Sequence, residues 1–156
     1  MRLHQGILDS DFLPITRKRT FQKASLLKRF LNLLIDYMAI LHLSILVGVL
    51  LGMVFVVLGK NELVNVFKNP YVSITISGIV IFLYYFLCEL FLKGKTLGKF
   101  ATKTSVRNTS GERASSKEIL IRSATRLIPL EPVSIFLGKD KAWHDDFSST
   151  IVVDDF

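Results

Sequence analysis

Two long apolar runs dominate the hydropathy pattern. Tyr37 to Leu58 carries no charge, with His42 and Ser44 as its only polar interruptions. Tyr71 to Leu92 carries a single charge, Glu89, near its end. A helix needs roughly 20 apolar residues to cross the hydrocarbon of a bilayer, so each run predicts a transmembrane helix. Helices buried in soluble proteins are seldom this long and apolar all round. The spans are placed at 31–58 and 71–92. The first run starts too late and is too long for a cleavable signal segment. Gly59 to Pro70 is then a short turn, with Asn69-Pro70 presetting the start of the second helix.

The flanking segments follow other rules. Residues 1–20 mix charge types without period around Pro14 and read as a loose cytoplasmic tail. Phe21, Ala24, Leu27 and Leu31 fit a helix that runs into the first span. Beyond Leu92 the chain turns polar. Weak alternation from Phe100 to Val106 predicts a strand, Asn108-Thr109-Ser110-Gly111 a turn, and Arg113-Ala114-Ser115 an antiparallel return. Ser115 and Glu118 fit a capping box that opens a helix through Leu127, ended by Pro129 and Pro132. The apolar stretch 127–137 is too short to span and reads as interfacial or re-entrant. Thr150-Ile151-Val152-Val153 reads as a short strand joining the hairpin. The expected fold class is an α-helical membrane protein. It has a transmembrane helix hairpin, one further amphipathic or interfacial helical region, and a small cytoplasmic lobe of β-hairpin or strand. The membrane domain covers 21–153, with the lobe at 93–126 and the last strand at 150–153.

Charge fixes the expected orientation. The chain has 156 residues, 20 of them Lys or Arg against 13 Asp or Glu, for a formal net charge of +7. Seven of the basic residues precede the first span, two (Lys60 and Lys68) lie in the turn, and eleven follow the second span. The positive-inside rule then puts both termini in the cytoplasm, the protein being integral to the cytoplasmic (inner) membrane. Basic residues flanking apolar runs, without interleaved aromatics, fit lipid headgroups as partners and not nucleic acid. The single cysteine, Cys88, excludes a disulfide framework and a thiolate metal site. The three dispersed histidines build no zinc cluster, so neither metal nor cofactor is expected.

The polar residues that lipid penalises carry the candidate chemistry. Arg29, Asn32 and Asp36 share one helix face, Arg29 and Asp36 differing by about 20° around the axis. A helix that enters the membrane near Leu31 carries Asp36 roughly 7 Å into the hydrocarbon. Glu89 returns to a similar depth on the same side. Two carboxylates there cost several kcal/mol unless they are paired or hydrated. Arg29 is in reach along its own helix, and Arg122 and Arg126, spaced i,i+4, can present guanidiniums to Asp36 or Glu89. Asp36 then marks the interface, fixes packing through an ion pair, or takes part in ion or proton movement. Ser44, Gly48 and Gly52 form a small-residue ladder for helix packing within the hairpin or against a second subunit. His42 is a proton relay or a donor to a neighbouring helix. Lys93-Gly94-Lys95-Thr96-Leu97-Gly98-Lys99 looks like a phosphate loop, but Glu89 stands where its first glycine belongs and no strand precedes it. His144-Asp145-Asp146 with Ser148 and Ser149 lacks a nucleophile elbow, so no enzyme is expected.

Arg29-x6-Asp36, Gly94-Lys95-Thr96-Leu97-Gly98-Lys99, Arg122-Ser123-Ala124-Thr125-Arg126, His144-Asp145 and Thr150-Ile151-Val152-Val153 follow one another in order over about Ala24 to Val153. As a set they resemble the RDD family of small membrane proteins, named for one arginine and two aspartates. By that resemblance Arg29, Asp36 and Asp145 are the name-giving residues. Asp146 departs from the pattern, standing where an apolar residue is commoner. The resemblance implies a membrane domain that transports unidentified ligands, with cation/proton exchange in some members. The expected function is therefore a transporter component handling a monovalent cation or proton through intramembrane carboxylates. Two helices enclose no pathway, so a homo-oligomer or another membrane protein is expected as partner. The alternative is a structural or assembly module that docks another membrane protein.

Overall fold

The computed structural model of the chain describes residues 21–136 and 141–155. The tail assigned to 1–20 and Leu137 lie outside the described residues. Helix α1 (Leu26–Val57) runs for 32 residues, roughly 48 Å at 1.5 Å per residue. It starts earlier than the expected span because the Ser25 side chain accepts from the Lys28 N–H and caps it. Phe21 to Ala24 are not helical, contrary to expectation. Ala24 donates its N–H to Val152 O at 3.0 Å, and Lys23 bridges Val153, so this segment runs along a strand edge.

A short helix, α2 (Asn61–Val66), occupies half of the connection that read as a plain turn. Helix α3 (Pro70–Phe91) begins as the sequence predicts, with Pro70 in its first turn and Asn69 Oδ1 accepting from Tyr71 N at 3.0 Å. Both α1 and α3 are long and apolar enough to cross a membrane. They bury little of that apolar surface: Ile40, Val80, Tyr84 and Tyr85 form a small cluster, while Leu46, Leu50, Met53, Ile74 and Ile79 stay exposed. The buried residues of α1 are Asn32, Asp36 and Ile40. Apolar outside and polar inside is the distribution expected of a chain solvated by lipid.

The lobe is built from short pieces. Helix α4 (Leu97–Thr102) replaces the first half of the expected strand, because Thr96 caps a helix there and Lys103 ends it in a left-handed conformation (φ 55°). Strand β1 (Thr104–Asn108) pairs antiparallel with β2 (Thr150–Asp154), in register from Thr104↔Asp154 to Asn108↔Thr150. The expected hairpin with Arg113-Ala114-Ser115 shrinks to one bridge, Arg107↔Arg113. Its physical reason is that Ser115 is committed as the N-cap of α5 (Ser116–Thr125), where both capping-box bonds form. Helix α5 stops two residues short of Leu127; the chain tightens there into i→i−3 bonds and continues as a 3-10 helix, Glu131–Phe136. A further short helix, α6 (Trp143–Phe147), was not foreseen. Helix α4 packs on α1, and α5 packs on both α3 and α6. The lobe thereby closes over one end of the hairpin, against the face that carries Asn32, Asp36 and Glu89.

Candidate functional site

At that junction the interior is charged. Asp36, 2% exposed, accepts three hydrogen bonds: from Tyr84 Oη (2.8 Å), Thr96 Oγ1 (2.7 Å) and the Gly98 N–H (2.8 Å). Among the described residues its donors are all uncharged. The Gly98 contact needs glycine, since a Cβ there would lie 2.4 Å from the Asn32 carbonyl oxygen of α1. Asn32 helps fasten the same joint, donating to Thr104 Oγ1 at 3.0 Å and accepting from Thr102 Oγ1 at 2.5 Å.

Glu89 is completely buried and surrounded by cations. Lys99 Nζ lies 2.5 Å from one carboxylate oxygen and Arg122 Nε 3.0 Å from the other, with Arg126 at 4.0 Å. The equally buried Arg122 also donates to Asp145 Oδ1, and to Thr150 Oγ1 at 2.7 Å. The second oxygen of Asp145 is held by Arg29 at 3.0 Å. Five of the six expected site residues, Arg29, Asp145, Arg122, Glu89 and Arg126, thus form one chain of ion pairs, with Asp36 beside it.

The expected pairing is corrected in one respect: Arg29 meets Asp145, and Asp36 is held by none of the three arginines. Seven residues along a helix is roughly 10.5 Å, too far for an easy contact down the axis. Three of the roughly four lone-pair sites of Asp36 are already engaged by the neutral donors, which leaves one on Oδ2. The cluster also includes residues that the sequence reading passed over. Arg126 stacks on Tyr85, 3.9 Å from the ring centroid, and its Nη2 lies 3.3 Å from His144 Nε2. A guanidinium can only donate, so Nε2 accepts and His144 carries its proton on Nδ1, facing Glu131. Burial, with Arg126 and Arg122 adding to it, holds the His144 pKa well below the usual imidazole value. Burial pushes the Glu131 carboxyl up, against the pull of Arg126 and the bond from His144. Lys99 is brought down to about 8 by burial, which outweighs the attraction of Glu89, with Arg122 and Arg126 lowering it further.

A cavity of about 20 Å³ lies at the centre, lined by Arg29, Asn32, Asp36, Lys99, Arg126 and Asp145 among others. It has room for a water or an ion of similar size. Among the described residues no three His, Cys, Asp or Glu side chains converge on a metal position. Two expected features lie elsewhere. Apart from each glycine's own helix backbone and chain neighbours, nothing among the described residues lies within 4 Å of a Cβ added at Gly48 or Gly52, so no helix packs closely on the glycines of this ladder. The His42 ring bonds to Met38 O of its own helix at 2.7 Å, on the exposed surface.

Thr96, Gly98 and Lys99, which the sequence offered as a failed phosphate loop and as one motif of the resemblance but not as site residues, are therefore central to the junction. Their signal was the close spacing of a cap, a small residue and a cation directly after an apolar span.

Two apolar helices, a small two-stranded sheet and a charged junction between them define a small, mostly helical, membrane-associated protein. The chain belongs to the RDD family, whose model matches residues 23–147. No curated protein and no solved structure matches it. The three residues that the resemblance singled out, Arg29, Asp36 and Asp145, all lie at the junction and line its cavity.

Proposed function

We propose that the chain is a component of a membrane transporter, acting as a homo-oligomer or with another membrane protein, and that its charged junction exchanges a monovalent cation for a proton. The chemistry around Asp36 carries this reading. It is a buried carboxylate beside a water-sized cavity, held by two hydroxyls and one backbone N–H. Hydroxyls can turn and offer lone pairs, so Tyr84 and Thr96 can serve as donors to the bare carboxylate and as ligands to a cation beside it. Glu89 and Asp145 have no such freedom, because their arginine partners never lose charge. Ionisable groups at membrane depth mark ion and proton pathways more often than other sites.

The basic bias supports a cytoplasmic lobe and cytoplasmic termini. Leu127 to Leu130 and Pro132 line a groove with Ser73, Ile74, Ser77, Gly78 and Ile81 of α3. Gly78 is about 20 Å along the helix from Phe91, which supports a re-entrant over an interfacial placement for this segment. The ladder of Ser44, Gly48 and Gly52, with open space beside its glycines, is the surface offered to a second subunit.

The test is cation-driven proton flux in vesicles. Asp36→Asn should abolish it while the protein stays folded, and Asp36→Glu should keep part of it. Flux at the wild-type rate in Asp36→Asn, or none in the wild type with any monovalent cation, would refute the exchange. The assembly reading is favoured by one observation: the ion pairs of Arg29 with Asp145, and of Lys99 and Arg122 with Glu89, tie the lobe to the hairpin. On that reading Asp36→Asn alters retention of a partner membrane protein and moves no ions.

A further inference from the structure

The segment that follows α5 leaves backbone bare at a depth where lipid cannot satisfy it. With α3 it forms a groove that extends from Ser73 in the first turn to Ile81, roughly 12 Å of helix axis. The Leu130 N–H and the carbonyls of Leu127 and Pro129 have no hydrogen-bond partner among the described residues. Leu127 and Leu130 are exposed, so the chain itself does not cover them. Non-helical backbone is tolerated at hydrocarbon depth only where protein covers it or water reaches it.

The other walls of the groove favour water. Its volume is about 490 Å³, enough for several molecules at roughly 30 Å³ each. Ser73 and Ser77 stand one turn apart along its α3 side. The Ser77 hydroxyl has no partner among the described residues, and Ser73, which donates to Phe67 O at 2.7 Å, keeps its lone pairs. At the inner end lies Arg126, its side chain 9% exposed and its Nε buried without an acceptor among the described residues. A buried N–H of that kind calls for a water. Arg126 also lines the cavity beside Asp36, so one side chain borders both spaces.

We propose that this groove is a water-filled entrance to the junction from the membrane side opposite the lobe, with Arg126 as the wall between groove and cavity. The proposal rests on the exchange reading and the re-entrant placement above, and adds the route. The lobe closes the other end of the hairpin, and an exchanger needs access from both sides. A hydrated monovalent cation entering near Ser73 meets the hydroxyl of Ser77 and the free carbonyls of Leu127 and Pro129, which replace part of its water shell. The guanidinium of Arg126, held 3.9 Å from the Tyr85 ring centroid, repels a cation at the inner end. Groove and cavity therefore stay separate until that side chain moves.

Cysteine accessibility tests this in the full chain, with Cys88→Ala removing the native thiol. A thiol reacts as its thiolate, which forms in water and not in lipid. Ser77→Cys should react with a cationic, impermeant methanethiosulfonate added outside intact cells about 10-fold or more faster than Ile79→Cys, which stands at similar depth but outside the groove. In vesicles the attached group should lower cation-driven proton flux about 10-fold or more in Ser77→Cys and leave Ile79→Cys unchanged. If Ser77→Cys is no more reactive than Ile79→Cys, lipid chains or a second subunit fill the groove and the entrance is overturned. Complete labelling of Ser77→Cys with no loss of flux overturns it as the route. Both results leave the exchange standing as long as the wild type moves protons; absence of flux in the wild type removes exchange and route together.

Discussion

Gly98→Ala separates helix propensity from tertiary fit. Gly98 lies inside α4, and alanine favours a helix interior over glycine by roughly 1 kcal/mol, so propensity alone predicts stabilisation. The structure predicts the opposite. An added Cβ would sit 2.4 Å from Asn32 O, 2.8 Å from its Cα and 3.0 Å from its carbonyl carbon, all backbone atoms of α1 that no rotamer can move. Restoring ordinary contact requires α4 to retreat by roughly 1 Å, against an overpacking cost of about 1–3 kcal/mol. The same retreat lengthens the 2.8 Å bond from the Gly98 N–H to Asp36, and a hydrogen bond to a charged acceptor contributes about 1.5–3 kcal/mol. Allowing for the propensity gain and for overlap between the two losses, the net destabilisation should be about 2–4 kcal/mol. Reversible unfolding in mixed detergent, followed by circular dichroism, measures it. Gly48→Ala and Gly52→Ala, with open space around them, serve as controls expected to change stability by less than about 1 kcal/mol. Equal stability of Gly98→Ala and wild type would show that α4 does not rest on α1 as described.

Arg29 and Asp145 should couple in a double-mutant cycle by about 1–3 kcal/mol, while Arg29 and Asp36 should be nearly additive. Strong coupling of the second pair, read from the same unfolding assay, would restore the pairing that helix spacing alone predicted. Cysteine at Asn65 should react with an impermeant thiol reagent outside intact cells, and cysteine at Ser110 should not; reversed labelling would invert the orientation. Acid should destabilise the lobe through His144: the unfolded chain binds a proton as pH falls below about 6.5, whereas the buried ring does not. The melting temperature should therefore drop between about pH 6.5 and 5, and drop less in His144→Gln. Glu131, pushed up by burial, acts in the opposite sense above its ordinary value, so His144→Gln and not Glu131→Gln is the diagnostic variant. An unchanged pH profile in His144→Gln would refute the assignment.

Local signals were legible and long-range partners were not. The two apolar spans, the Asn69-Pro70 start and the Ser115–Glu118 capping box depend on neighbours in sequence, and each appears in the structure. The expense of charge in lipid was enough to single out Arg29, Asp36, Glu89, Arg122, Arg126 and Asp145. Their pairing was not readable, because it depends on where α5 and α6 dock, and no periodicity encodes that. Strand β1 was given a hairpin partner at Arg113-Ala114-Ser115 for the same reason, since closure at Asn108-Thr109-Ser110-Gly111 is the local choice; the strand expected to join that hairpin, some forty residues further on, is its main partner. Helix α4 has six residues, too few for its period to outweigh a chance alternation at Phe100 to Val106. Lys99 was lost by judging its segment as a soluble phosphate loop; after a membrane span, a lysine so close to Glu89 in sequence is a partner for it.

The bond between Arg29 and Asp145 spans 116 residues, and its consequence is one of timing. The first helix is made long before α6 exists, so Arg29 waits for its carboxylate until 116 further residues have been added. Arg122, arriving later, finds Glu89 already in place but lacks Asp145 and Thr150 until α6 and β2 emerge. Chains that stop before about residue 145 carry every apolar residue needed for insertion, yet hold two arginines short of their counter-charges. Strand β2, laid between β1 and the segment at Lys23 and Ala24, closes the lobe only after the whole stretch from α1 to α6 has been made. A copy that lacks α6 is thereby marked by unpaired charge, which sets it apart from one in which Asp145 has arrived.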